Sequence, residues 1–354
     1  MNMSKKISVY SLYKKIIKNY YNKNNFVLFR KPYDKKIFFY SHHDYNDYIN
    51  SEFFLIRNFN HNHTIKIHPE KIYCVDIHKF FKEKNIFSSC LKNNFSFLTY
   101  SYEYKNLIKK AIQNIKKGFF KKVVLSRSVK IPFQKFYFKK TFIRLIYAYP
   151  NAFISLWYNL HHGFWIGCSP EMLMKCYNNK LKISVLAGTI WESTSRWTQK
   201  EIEEHKIVIR YIIHILESYP GIIHIENTRT TKIGNLKHLE TKIYFSFKKE
   251  INCYEILNRL HPTPSICGVP KKKSLDFIHE NEKHERSFYT GYIGIVNKNN
   301  IELYLNLRCV KIQEDKKEMI LYAGSGITID SNIDREYLET ENKMKNILSQ
   351  LVFK

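Results

Sequence analysis

Two carboxylates and an ammonium follow a glycine-flanked turn near the C-terminus. Gly324-Ser325-Gly326 leads through Ser331 to Asp334-Arg335-Glu336, then to Glu339 and Lys343. Ser331 reads as the N-cap of a helix, with acidic Asp334 three residues on, a partial capping box. On that helix Glu336, Glu339 and Lys343 stand at i, i+3 and i+7 and share one face. Such a face beside a Gly-Ser-Gly turn suits a hard cation and an anionic ligand. A solvated helix face with an ordinary Glu–Lys pair would read the same way in this segment.

The elements that must position these groups are legible in outline. Phe26-Val27-Leu28-Phe29 and Ile37-Phe38-Phe39-Tyr40 read as strands between Asn-rich turns. Tyr102 to Gly118 has a helical pattern, and Lys122 to Arg127 reads as a strand. Ala152–Tyr158, Gly163–Cys168 and Leu181–Leu186 continue as strands with tight turns. Glu201 to Glu217 is a helix whose apolar side is marked by Ile202, Ile209, Ile213 and Leu216, stopped by Pro220-Gly221. Strands joined by hairpin-sized turns, with helices interspersed, predict an α+β fold rather than strict βαβ alternation.

The chain has 354 residues and is 44% hydrophobic, enough for one large domain or two ordinary ones. Its formal charge of +27 invites a nucleic-acid reading. Lysine is spread along the whole chain with Asn, Ile, Tyr and Phe, a set that AT-rich codons supply, and no arginine-rich block or zinc-finger spacing appears. No nucleic-acid partner is expected; the positive field would help to attract an anionic substrate. The seven cysteines, Cys74, Cys90, Cys168, Cys176, Cys253, Cys267 and Cys309, contain no C-x-x-C pair. They read as reduced thiols packed as small hydrophobes in a cytoplasmic protein. Lysines interrupt residues 1–25, and no apolar run reaches membrane-spanning length, so neither a signal peptide nor a membrane partner is expected. His61, His63, His68 and the pair His42-His43 complete no metal set and read as structural or surface groups.

Eight segments stand in a telling order: Lys122-Val-Val-Leu-Ser-Arg127, Gly167-Cys-Ser-Pro-Glu171, Leu186-Ala-Gly-Thr189, Lys200-Glu-Ile-Glu-Glu204-His205, His261-Pro-Thr-Pro264, Glu285-Arg286-Ser-Phe-Tyr289-Thr-Gly291, Leu307-Arg308-Cys309 and the C-terminal block. In this the chain resembles the chorismate-utilising enzymes: isochorismate synthase, salicylate synthase, anthranilate synthase component I and aminodeoxychorismate synthase component I. The resemblance covers residues 95 to 354. It implies that family's fold, large antiparallel sheets packed face to face with helices outside. Residues 1–95 would be a divergent part of the same domain and 96–354 the chorismate-binding catalytic region.

The resemblance also implies roles. Glu204 and Glu339 would ligate Mg²⁺, which takes oxygen ligands and keeps several waters, with Glu201 and Glu336 behind them as water-mediated partners. Glu171 would be the general acid for the C4 hydroxyl, its pKa raised by burial. Lys122 would activate water for attack at C2; ammonia-using relatives usually carry glutamine there. An exposed tip is the alternative, since only one of Lys121 and Lys122 can face inward. Ala187 stands where aminodeoxychorismate synthases carry a nucleophilic lysine, which argues against covalent capture of the ring. Gly188 permits close backbone approach and Thr189 offers a hydroxyl. His261 would hydrogen-bond near the ring carboxylate, and Arg308, on a strand, would grip the enolpyruvyl carboxylate. Tyr289, the Gly324 and Gly326 backbone and Lys343 would complete the anion contacts.

The implied activity is isochorismate synthase, an isomerase with no redox cofactor, in menaquinone formation or in a siderophore pathway. Salicylate synthase, which goes on to eliminate pyruvate, is the alternative. No glutaminase subunit is implied, and a monomer or weak homodimer is expected. Two departures stand out. Ile190-Trp191-Glu192 follows Thr189 where relatives have a nearby arginine, and Phe288 falls at a variable place near the substrate.

Overall fold

The computed structural model describes residues 4–42, 52–80, 100–191, 193, 196–249, 251–298 and 300–354. Expectations for His43, Cys90 and Glu192 fall outside them.

Among the described residues the strands form one ten-stranded and one nine-stranded sheet. All pairings are antiparallel except the short parallel pair Lys5–Lys6 with Tyr73–Asp76. The two sheets pack face to face through an aromatic layer. Phe29, Phe153, Trp157, Trp165 and Tyr322 from the larger sheet meet Phe54, Ile293, Ile295 and Tyr304 from the smaller. Trp157 and Trp165 stack at 5.6 Å and Phe153 on Tyr304 at 4.4 Å, each pair worth about 1 kcal/mol beyond its buried area. Helices cover the outer faces, as expected for this α+β arrangement. Strands from the first eighty residues take interior places in both sheets: Phe26–Arg30 pairs with Phe153–Asn159, and Phe53–Arg57 pairs with Tyr292–Asn297.

Six elements position the site. Strands β1 (Lys122–Pro132) and β2 (Glu318–Ile327) pair along ten residues in the larger sheet. Strands β3 (Lys180–Trp191) and β4 (Leu236–Phe247) form the long ladder of the smaller sheet. Helices α1 (Gln199–Leu216) and α2 (Ile333–Leu348) start beside them. The β3–β4 register shifts between Ala187 and Thr189, at Gly188, whose φ is +76°. A side chain there would be strained and would stand 2.9 Å from the Glu201 carbonyl, so this position requires glycine.

Local details differ from expectation. Of the residues expected on the apolar side of α1, Leu216 is buried, together with Glu204, Val208, Ile212 and Ile215; Ile202, Ile209 and Ile213 are only half-buried. The helix is apolar on two sides, and the polar site claims part of its inner stripe. The N-cap of α2 is Asn332, whose side chain accepts from the Asp334 and Arg335 N–H groups. Ser331 instead accepts from Thr328 N–H and donates to Glu336 at 2.8 Å. A disulfide joins Cys176 to Cys253, so the reduced-thiol reading fails for this pair, which the strand and helix ends bring together; Cys74, Cys168, Cys267 and Cys309 are buried free thiols. No helix among the described residues is long and apolar enough to cross a membrane.

Candidate active site

Where the ends of β2 and β3 meet the first turns of α1 and α2, the two sheets leave a cavity of about 750 Å³, counting the solvent at its mouth. Its lining includes Glu171, Ala187, Gly188, Thr189, Glu204, Tyr289, Arg308, Gly324, Gly326, Glu339 and Lys343. Eleven of the site residues expected from the sequence therefore share one wall, though they come from residues 171 to 343.

Lys122 opens β1 with its side chain fully buried, whereas Lys121 is exposed. The alternation of a strand allowed only one of them inside, and it is Lys122. Its Nζ lies 3.0 Å from Glu204 Oε1 behind Gly326 and makes no hydrogen bond of good geometry. Burial lowers the Lys122 pKa; Glu204 opposes the shift and the nearby Lys200 cation, rather than Lys343, adds to it.

Glu171 follows Ser169-Pro170 between two strands and is 5% exposed. Burial pushes its carboxyl up to about 8, against the Ser265 hydroxyl, Lys122, the Leu186 backbone and Lys343, which all favour the anion. Ser265 Oγ donates to Glu171 Oε1 at 2.9 Å. A carboxylic acid therefore faces the cavity at neutral pH.

The carboxylates at the helix starts are laced together by ammonium groups. Lys200 Nζ lies 3.0 Å from Glu204 Oε2 and 2.9 Å from Glu336 Oε1. Burial opposes ionisation of Glu204, but Lys122 and Lys200 overcome it and hold the carboxyl low. Glu336 is driven up by burial and by its neighbours Glu339 and Glu204, against Lys200. Glu339 accepts from Lys343 at 2.6 Å, and Lys343 also donates to the Gly324 carbonyl at 2.8 Å. No set of three metal-ligating groups is gathered among the described residues. Glu204 and Glu339 nonetheless face one cavity, and the buried Glu336 Oε2 has no hydrogen-bond partner. That donor set fits an ion that takes one or two carboxylates and keeps its water. Glu201 does not join it: as the third residue of α1 its carboxylate accepts from the Thr198 N–H at 3.1 Å, closing a capping box.

Arg308 lies between strands rather than on one, with φ +47°. Its guanidinium donates to the Ile233 carbonyl at 3.3 Å and to His238 Nε2 at 2.8 Å. His238 Nδ1 then donates to Thr189 Oγ1 at 3.1 Å, leaving the Thr189 O–H free to donate. Burial and the neighbouring Arg308 and Lys343 charges keep His238 neutral. The Tyr289 ring stacks on Tyr322 at 5.4 Å.

Three further placements correct the sequence reading, the first being that Lys122 stands behind the cavity wall rather than in its lining. His261 does not line the cavity. It is 1% exposed, with Nδ1 against His61 and Nε2 on the Thr290 carbonyl at 3.0 Å, so neither ring nitrogen is free for a ligand. Phe288 is turned into the aromatic layer, edge-on to Trp157 at 5.1 Å. Three residues went unrecognised. His238 is found only through its register with Thr189 across the β3–β4 ladder. Ser265 follows the quoted His261-Pro-Thr-Pro264 by one position, and Lys200 opens a quoted motif as an unremarked surface-type lysine.

The family model described as "Chorismate binding enzyme" matches residues 82–352. The vibriobactin-specific isochorismate synthase of Vibrio cholerae is 29% identical over 258 residues, 64% of this chain and 61% of that protein. Anthranilate synthase component 1 of Saccharolobus solfataricus is 25% identical over 261 residues, 68% of this chain and 60% of that protein. The match thus spans about three fifths of the length of each. Among solved structures, the menaquinone-specific isochorismate synthase MenF of Escherichia coli superposes with a TM-score of 0.76 at 18% identity, covering 93% of this chain and 89% of that one. This chain belongs to the chorismate-binding enzyme family.

Proposed function

We propose that the chain is an isochorismate synthase, forming isochorismate from chorismate by adding water at C2 and expelling the C4 hydroxyl. The observation that carries the reading is a buried, proton-holding Glu171 in a cavity that has alanine, not a nucleophile, at position 187, with Lys122 buried behind the cavity wall against the lining residue Glu204. Lys122 takes a proton from water as it attacks C2. The ring double bonds shift, and the C4 oxygen leaves with the proton of Glu171, so water enters and water departs. Arg308 and Lys343 supply the cationic side for the substrate's two carboxylates. Tyr289 and the Gly188 turn shape the cavity around the ring. Mg²⁺, held by Glu204 and Glu339 with Glu336 behind them, would neutralise the ring carboxylate. Menaquinone formation is the proposed setting, in keeping with a cytoplasmic enzyme that needs no glutaminase partner.

The test is incubation of purified protein with chorismate and Mg²⁺, followed by chromatography and mass spectrometry. Isochorismate without pyruvate is expected. Salicylate plus pyruvate would overturn the isochorismate end point, and no turnover would overturn the whole reading.

A further inference from the structure

The carboxyl of Glu171 has a partner whose role the reaction outlined above does not use. Ser265 Oγ donates to Oε1 at 2.9 Å, and Ser265 Oγ lies 2.7 Å from the buried hydroxyl of Thr263. The segment carrying both hydroxyls is held rigid. The Ile266 and Cys267 N–H groups close onto the Thr263 carbonyl at 3.1 and 3.0 Å, and Arg286 donates to the Ile266 carbonyl at 2.8 Å. A hydroxyl pinned in this way costs little ordering entropy when it bonds the carboxyl.

We propose that Ser265 is a positioning residue for Glu171: the relay Thr263–Ser265 occupies Oε1 and leaves Oε2 as the oxygen that carries the transferable proton. This deepens the proposed function and rests on Glu171 being the acid of that reaction. With Oε1 accepting from Ser265, the proton sits on a defined oxygen rather than being shared between two. A hydrogen bond to a carboxylate is stronger than one to the neutral acid, so the same hydroxyl also eases loss of the proton. The other groups facing the carboxyl are Lys122 from β1, Lys343 from α2 and the Leu186 backbone of β3. Each is left in place by a change at Ser265, so the hydroxyl can be tested separately.

The variants are Ser265→Ala and Ser265→Thr, with Thr263→Val to cut the relay one step back. The first readout needs no substrate: the ¹³C NMR titration of protein labelled at the glutamate carboxyl, with the Glu171 signal identified by its loss in Glu171→Gln. Ser265→Ala should raise the midpoint by about half a pH unit or more, Thr263→Val by less, and Ser265→Thr should restore it. The second readout is the pH dependence of kcat/KM with chorismate, whose basic limb should move with the NMR midpoint. An unmoved midpoint in Ser265→Ala overturns the proposal, as does a moved midpoint with an unmoved basic limb. A moved midpoint in a protein that does not convert chorismate overturns the proposed reaction and leaves the hydroxyl–carboxyl coupling standing.

Discussion

The Lys122 side-chain nitrogen and the Glu204 carboxylate lie 3.0 Å apart with the lysine wholly buried, so the proposed base and the proposed cation ligand are in contact. A change at Lys122 leaves Glu204 paired with Lys200 at 3.0 Å, whereas a change at Glu204 removes the group that opposes the lowering of the Lys122 pKa.

Lys122→Gln should therefore remove hydration activity while keeping the fold. Loss of a proton-transfer group typically costs about 10² to 10⁴ in rate. Circular dichroism should be unchanged and isochorismate formation should fall by at least the lower figure. Near-normal turnover would remove Lys122 from the mechanism.

Lys200 bridges Glu204 and Glu336 at 3.0 and 2.9 Å. Lys200→Met leaves two buried carboxylates with one cation fewer, a loss of about 3 kcal/mol or more. The melting temperature should fall, and added Mg²⁺ should recover more of it than it adds to the native protein. Glu204→Gln and Glu339→Gln should each reduce the Mg²⁺-induced rise. Activity that survives EDTA would count against the metal.

Glu171 sets the pH response. Its carboxyl titrates near 8 when folded and near the ordinary 4.5 when unfolded. The acid is competent only when protonated, so kcat/KM should fall as pH rises through about 8. The folded state holds a proton through that window that the unfolded chain has released. Its stabilisation is complete below 4.5 and is lost as pH rises through 8, on the order of a few kcal/mol. Glu171→Gln should abolish that part of the decline in denaturant midpoint between about pH 4.5 and pH 8. An identical decline in both proteins would show that the carboxyl is ionised throughout.

Gly326 allows Glu204 and Lys122 to approach the β2 backbone. A methyl there would overlap the Glu204 carboxyl and stand 3.1 Å from Lys122 Cε. Gly326→Ala should cost about 10² in kcat and shift the metal dependence, with the far-ultraviolet spectrum preserved. Unimpaired turnover would mean that the pair is not held against this strand.

Much of the site was legible because its groups sit in local motifs. Glu171 after Ser169-Pro170, Ala187-Gly188-Thr189 and Glu339 with Lys343 all stand in the motifs that carry the family resemblance, and all line the cavity. The α+β class followed from strand runs such as Phe26–Phe29 and from the helix beginning at Tyr102, and the face-to-face sheets from the family resemblance. What escaped depends on register and on choices between adjacent residues. His238 matters because it falls opposite Thr189 on a distant strand. His261 was expected near the ring carboxylate from the resemblance, but at the end of the helix Cys253–Leu260 it is directed to His61 and the Thr290 carbonyl. Ser331 and Asn332 are both good caps, and only the backbone decides which one accepts from Asp334 and Arg335. The Cys176–Cys253 contact joins positions 77 residues apart and leaves no local trace.

The unpaired glycine in β3 makes that strand two segments with opposite parity. Up to Ala187 the strand keeps step with Thr241 and Leu239; beyond it, Thr189 keeps step with His238. The half nearer the core is answerable to packing on α1, and the far half to the cavity. Anyone grafting this cavity onto another sheet would have to carry the odd residue with it, because a strand of matched length would turn the threonine and its histidine to the wrong side.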